Sequence, residues 1–187
     1  MGLNTLGVAH RFLQEHVKPG SFCIDATAGK GRDAAFLCSL VGDGGKVLAF
    51  DIQRQAVDAT RELLEKSGYS HIAQVILDSH SEMDRYAQSE SVDAIVFNLG
   101  YLPGGDHRVF TTAETSIPAI EKGLRLLKPG GVMSVCIYYG KDSGYEEKDA
   151  LMEYLKTIDD RQYTVLMAQF YNRPNDPPIP VLIWKEG

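Results

Sequence analysis

The sequence predicts an open α/β sheet of about seven strands, mainly parallel, with an antiparallel hairpin at its C-terminal end. Three observations carry this. Short apolar runs alternate with helical patterns five times along the chain. Two of the early runs end in an acidic residue followed by a polar or glycine-rich turn, at Asp25 and Asp51. The last two apolar runs, 163–170 and 179–184, are separated by a proline-containing connection with no room for a helix, so they must pair antiparallel, leaving one reversed strand near an edge.

Taken in order, Leu6, Ala9, Leu13 and Val17 have helical spacing over 5–17, and Lys18-Pro19-Gly20 ends the run. Residues 21–26 read as a buried strand, 31–41 as a helix, Asp43-Gly44-Gly45 as a turn, and 46–51 as a second strand. A helix from about 53 to 67 follows, then a strand at 72–77, a polar stretch, and a strong strand at 92–97. Residues 98–108 form a glycine-rich loop. Residues 111–127 read as a helix despite Pro118, and Lys128-Pro129-Gly130-Gly131 ends it before a strand at 132–139. A polar loop and a helix over 145–158 lead to the hairpin. In such a sheet, ligands sit at the carboxyl ends of the strands near the point where strand order reverses.

With 187 residues, 44% of them hydrophobic, the chain is sized for one domain spanning 1–187. A net charge of -6 argues against non-specific coating of nucleic acid, which depends on phosphate neutralisation, but leaves room for a local basic patch. Cys23, Cys38 and Cys136 stand singly, so buried reduced thiols are expected and no metal site. No apolar run is long enough to span a bilayer and no leader pattern opens the sequence, which predicts a cytoplasmic protein without membrane association.

Asp25-Ala26-Thr27-Ala28-Gly29-Lys30-Gly31 joins the first sheet strand to a helix, and glycines at 29 and 31 let a ligand approach the backbone. Gly29-x-Gly31-x-x-Ala34 with Asp51 also satisfies a dinucleotide fingerprint, so an NAD(P)-binding oxidoreductase is the rival from another class. Asp25 beside the turn opposes a pyrophosphate and favours a cationic ligand such as S-adenosylmethionine, which carries an ammonium and a sulfonium.

These residues resemble the first motif of class I S-adenosylmethionine-dependent methyltransferases, D/E-x-G-x-G-x-G, with Thr27 in place of the first glycine. The segments 25–33, 49–53, 77–80, 98–106 and 172–178 together resemble the bacterial family labelled putative rRNA methylase, in which threonine at that position is usual. The likeness covers essentially the whole chain. It implies a Rossmann-like fold, S-adenosylmethionine as cofactor, and, from some members, a tRNA whose wobble uridine carries a 5-aminomethyl group, often on a 2-thiouridine. Methylation of another RNA position or of a small amine is the alternative within the class.

The expected site follows from strand-end positions. Asp25, Thr27, Gly29 and Gly31 form the cofactor loop. Asp51 binds ribose hydroxyls beside Gln53, or else caps the next helix. Asp78, Ser79 and His80 follow the third strand, where adenine is often recognised in class I enzymes; His80 could equally be a capping residue. Asn98 opens the loop after the fourth strand, where amino-directed enzymes place the residue that holds the target nitrogen, and a neutral amide acceptor suits an amine donor. An aminomethyl substrate must also lose a proton, for which Asp106 and then His107 are candidates, although Gly104-Gly105-Asp106 also reads as a turn. Tyr101, Arg108, Tyr138, Tyr139 and Arg173 are expected to contact substrate, with Lys30, Arg32 and Lys141 as further phosphate contacts. Residues 172–180 suggest a substrate rim or a dimer contact. The expected partner is the anticodon region of tRNA, with a homodimer possible because no separate RNA-binding domain is evident.

Overall fold

The structure, a computed structural model, describes residues 3–100, 111–140 and 144–187. Helix α1 (Thr5–His16) precedes β1 (Phe22–Asp25), α2 (Arg32–Val41), β2 (Lys46–Asp51), α3 (Arg54–Lys66) and β3 (Ala73–Leu77). A 3₁₀ turn (His80–Arg85) leads to β4 (Val92–Leu99), α4 (Ala113–Leu126), β5 (Leu127–Ile137), α5 (Tyr145–Leu155), β6 (Tyr163–Met167) and β7 (Ile179–Lys185). The seven strands form one sheet in the order β3-β2-β1-β4-β5-β7-β6. The pairs from β3 through β5 are parallel, and β7 runs antiparallel to both neighbours, which makes it the one reversed strand.

Side-chain alternation along the strands divides the core into two layers. Cys23, Ala94, Val96, Val132 and Leu182 face the layer filled by α1, α2 and α3, through residues such as Phe12, Leu37 and Leu64. Ile24, Ile95, Phe97, Val135 and Ile183 face the layer of α4 and α5, which includes Ile120, Leu124 and Leu151. The sheet is apolar on both faces, as a sheet covered by helices on both sides must be. Cys23, Cys38 and Cys136 are buried free thiols, and burial pushes Cys38 and Cys136 up to about 12.

Two local features differ from the sequence reading, and a third agrees with it for a local reason. The polar stretch after β3 contains the 3₁₀ turn, held against α4 by Lys122, whose Nζ donates to the Ser81 carbonyl at 2.6 Å and pairs with Asp84 at 2.9 Å. Helix α4 ends at Leu126 as expected, but the chain rejoins the sheet at once. Leu127 pairs with Val92 and Val132 with Ala94, so Lys128–Gly131 forms an irregularity at the start of β5. Pro118 fits within α4 because the carbonyl it leaves without a helical N–H partner belongs to Glu114, in the exposed first turn.

Strand order reverses between β1 and β4, placing the carboxyl ends of these two strands at the topological switch point.

Candidate active site

A cavity of about 500 Å³ opens at that switch point, a size suited to a nucleoside-like ligand. Thr27 and Gly29 from the first loop, Asp51 and Gln53 after β2, and Asp78, Ser79 and His80 after β3 all line it. Asn98 and Tyr138, from the ends of β4 and β5, line it as well.

Asp51 organises the first-loop wall of the cavity. Its Oδ2 accepts the Gly29 N–H at 3.0 Å and its Oδ1 the Gln53 N–H at 2.9 Å. Burial raises its pKa, and these N–H donors act in the opposite sense. Both carboxylate oxygens retain lone pairs for ligand hydroxyls. Because the Gly29 N–H already points to a carboxylate, it is not free to cradle a phosphate, which counts against the dinucleotide reading. Gly31 has φ +77°, and a Cβ there would lie 3.0 Å from both Cα and Cγ2 of Thr60 in α3. The second glycine of the loop is therefore a packing requirement; Gly31 does not line the cavity.

Asp25 corrects an expectation. It is fully buried under the loop and does not line the cavity. Its Oδ1 accepts the Thr27 N–H at 3.1 Å, while Oδ2 has no partner. Burial, reinforced by neighbouring Asp33, pushes its pKa well up, and the group supports the turn from beneath. Strand β1 delivers it beneath α2, and the charge expected to face a cation is not presented there. Thr27, in place of the first motif glycine, accepts the Asn98 N–H through Oγ1 at 2.7 Å and so ties the cofactor loop to the end of β4.

Asn98 is fixed by two residues that the sequence analysis did not assign a role. Its Nδ2 donates to Asp33 Oδ2 at 2.6 Å, and Asp33 Oδ1 contacts His10 Nε2 at 2.7 Å. His10 stacks on Phe36 with ring centroids 3.9 Å apart. A carboxylate accepts and does not donate, so it sets the orientation of the amide. The outcome is an Asn98 Oδ1 that is buried, without a hydrogen-bond partner, and part of a residue lining the cavity. An unsatisfied buried acceptor costs about 1–3 kcal/mol, which an N–H donor on a ligand would recover.

Another wall of the cavity is built around the 3₁₀ turn. Asp78 accepts from the Tyr86 hydroxyl at 2.7 Å and the Ser79 N–H at 2.8 Å, and these bonds hold its carboxyl below its ordinary value. Burial pushes the His80 imidazole down, opposed by the Ala26 backbone; its Nε2 is buried and without a partner. Ile52, 59% exposed, adds an apolar side chain at the cavity wall suited to the face of a purine.

Beyond Asn98, Gly100 and Thr111 bracket the segment 101–110. The Gly100 N–H donates to Thr111 Oγ1 at 2.8 Å and the Thr111 N–H to the Gly100 carbonyl at 3.0 Å. Glu147 of α5 accepts from the hydroxyls of Thr111 at 2.9 Å and Ser116 at 2.6 Å. Tyr101, Asp106, His107, Arg108 and Lys141 lie outside the described residues. Lys30 and Arg32 line the cavity. Tyr138 faces it too, whereas Tyr139 turns to a second, smaller cavity and Arg173 lies outside both. Arg173 instead donates to the Leu3 carbonyl and stacks its guanidinium 4.0 Å from the centre of the Phe170 ring.

Fold and cavity are those of a class: an α/β enzyme of the S-adenosylmethionine-dependent methyltransferase type, with its main cavity at the β1–β4 switch point. The family profile described as Putative rRNA methylase matches residues 47–184, and the chain belongs to that family. It is 31% identical, over 96% of its length and 69% of the relative's, to the chloroplastic tRNA (mnm(5)s(2)U34)-methyltransferase of Arabidopsis thaliana. The crystal structure of a putative rRNA methylase from Clostridium thermocellum superposes with a TM-score of 0.96 at 44% identity, covering 99% of both chains. A putative methyltransferase from Streptococcus mutans in complex with SAH superposes at 0.89 with 39% identity, again over 99% of each. S-adenosylmethionine is the cofactor, and the oxidoreductase alternative is set aside. Among the described residues, no helix is long and apolar enough to cross a membrane.

Proposed function

We propose that the protein transfers a methyl group from S-adenosylmethionine to the amine of 5-aminomethyluridine, or its 2-thio form, at the wobble position of tRNA, giving the 5-methylaminomethyl nucleoside. The observation that carries this reading is the buried, unpaired Oδ1 of Asn98, aimed by Asp33. An amine has the N–H that such an acceptor needs, and its remaining lone pair is then oriented for attack. The likeness to the Arabidopsis enzyme, whose name specifies this wobble-uridine modification, supports the choice of nucleoside.

The residues present fit the cofactor. Asp51 can accept ribose hydroxyls, Ile52 can cover the purine, and His80 Nε2 is a free acceptor or donor for the base edge. When bound, S-adenosylmethionine supplies an electrophilic methyl group, and displacement at that carbon depends chiefly on alignment. Asn98 holds the attacking nitrogen. The substrate ammonium must first lose a proton, and we assign that acceptance to Asp106, with His107 beside it in sequence.

The test is incubation of the purified protein with methyl-labelled S-adenosylmethionine and tRNA from cells lacking this gene, followed by nucleoside mass spectrometry. Label on aminomethyluridine or its 2-thio form, with a mass gain of one CH₂, is the expected result. Label on another nucleoside, or only on small amines, would overturn the assignment while leaving the cofactor reading in place.

A further inference from the structure

We propose that the second cavity, at the end of β5, is a stacking pocket for a nucleobase flanking the methylated nucleotide. The proposal rests on the RNA reading above. The pocket measures about 220 Å³ and is lined by Tyr139, Gln169, Phe170, Tyr171, Pro177 and Ile179. That is small for a cofactor and scaled to one ring system. Three aromatic rings and one amide make up most of its wall, the combination that recognises an unstacked base by its face and edge.

Its position links it to the reaction. Tyr138 and Tyr139 are consecutive at the carboxyl end of β5, with Cα atoms about 3.8 Å apart, and their side chains diverge. Tyr138 lines the cofactor cavity and Tyr139 the second one. Ile179 opens β7 and pairs with Ile137, so the pocket lies at the same edge of the sheet as the cofactor loop. An RNA strand that places one nucleotide in the first cavity therefore carries its neighbour to the second.

Charge and exposure favour nucleic acid. Lys148 Nζ stands 5.0 Å from the centre of the Tyr139 ring and 5.6 Å from that of Tyr145, and the Arg173 guanidinium covers Phe170. Their charged heads lie against the rings, Lys148 also pairing with Asp149 at 2.8 Å and Arg173 also donating to the Leu3 carbonyl, so positive charge is held at the rim of the pocket. Tyr171 is 101% exposed, an aromatic surface left wholly in water by the chain's own packing. The surrounding loop is nevertheless anchored: Thr5 Oγ1 donates to the Pro178 carbonyl at 2.6 Å, and the Tyr145 hydroxyl to Asp176 Oδ2 at 2.9 Å. The pocket is thus built ahead of its ligand.

The experiment uses an unmodified anticodon stem-loop RNA carrying 2-aminopurine on either side of the wobble uridine, titrated with the full-length protein in the presence of S-adenosylhomocysteine. Quenching is expected at one flanking position. Tyr171→Ala should abolish it and weaken RNA binding about 5- to 150-fold, the range that loss of one base–aromatic stack produces. Tyr171→Phe should retain both, and S-adenosylhomocysteine affinity should be unchanged in either variant. Because Tyr171 is fully exposed, these variants leave the packed core intact. Equal RNA affinity and equal quenching in wild type and Tyr171→Ala would overturn the pocket, as would failure of the RNA to bind at all. Quenching lost in Tyr171→Ala, with no methylation of wobble uridine by the wild type, would keep the pocket and discard the substrate reading. Wobble methylation with Tyr171-independent binding would do the reverse.

Discussion

On the β1–β2 side of the switch point, the loop is stitched to its neighbours through its own backbone. The Gly29 N–H goes to Asp51, the Thr27 N–H to Asp25, and the Gly29 carbonyl accepts from Thr60 at 3.2 Å. On the β4 side, Asn98 gives its N–H to Thr27 and its amide nitrogen to Asp33, yet its carbonyl oxygen is left open. The difference separates two tasks. In the proposed function the β1–β2 side receives the cofactor, and it obtains its shape from main-chain hydrogen bonds and close packing, so a ligand meets a surface already in place. The acceptor side spends a carboxylate from another helix to hold one polar atom unsatisfied, which is useful only if a donor arrives.

If the cofactor loop is rigid because α2 and α3 meet at Gly31, Gly31→Val should have the largest effect on stability. A left-handed conformation costs a Cβ-bearing residue roughly 1–2 kcal/mol and overpacking about 1–3 kcal/mol more, giving about 2–5 kcal/mol in total. Urea unfolding should show the midpoint falling accordingly. An unchanged midpoint would mean that the contact with Thr60 relaxes freely and that the loop is not held by packing.

On the acceptor side, Asn98→Ala should lower kcat about 100-fold, as loss of alignment does, with a much smaller change in S-adenosylhomocysteine affinity. The origin of the alignment can be separated by exchange. Asp33→Asn removes the acceptor that fixes the Asn98 amide, and Asn98→Asp sets two carboxylates against each other. The double variant, Asp33→Asn with Asn98→Asp, restores one hydrogen bond with its polarity reversed and should be more active than the product of the two single effects. Strict additivity in kcat would show that Asp33 acts only through α2 packing or through His10.

Asp51→Ala sharpens the contrast from the other side. Loss of a charged acceptor is worth about 1.5–3 kcal/mol, so cofactor affinity measured by calorimetry should drop by about 10- to 150-fold, with kcat at saturating cofactor far less affected. A fall in kcat equal to that of Asn98→Ala, with affinity retained, would erase the division of labour.

The same contrast explains what could be read in advance. Strand-end logic brought Asp51, Asp78, His80, Asn98 and Tyr138 to one cavity because sheet topology brings strand ends together whatever the side-chain details. It could not find the Asp33 link to Asn98, 65 positions apart, or His10 above it, since both depend on how helices α1 and α2 lie across β1 and β4. Asp33 in the first turn of α2 reads equally well as an acid matching the helix dipole. The polar His10 next to the apolar face of α1 was the available signal. Tyr138 and Tyr139 were indistinguishable until the end of β5 assigned them to different cavities. Asp25 was misplaced for a related reason: the motif identifies the acid but not whether its side chain emerges above the loop or lies beneath it.

Asp25 also provides the most delicate test, because it is a fully buried ionisable group that the fold holds without a partner for one oxygen. Its folded-state pKa is raised by burial first and by Asp33 second, from an ordinary value near 3.8. Between that value and the raised one, the folded state keeps a proton that the unfolded chain has released. Stability must therefore fall as pH rises through the window and level off above it. Asp25→Asn cannot titrate and keeps an oxygen to accept the Thr27 N–H. Relative to wild type, the variant should gain thermal stability steadily as pH is raised from about 4 towards neutrality, as the linkage relation requires. Melting curves collected over that interval give the difference directly. A constant offset between the two proteins would mean that Asp25 is already ionised in the fold, and the cofactor loop would then rest on a buried charge.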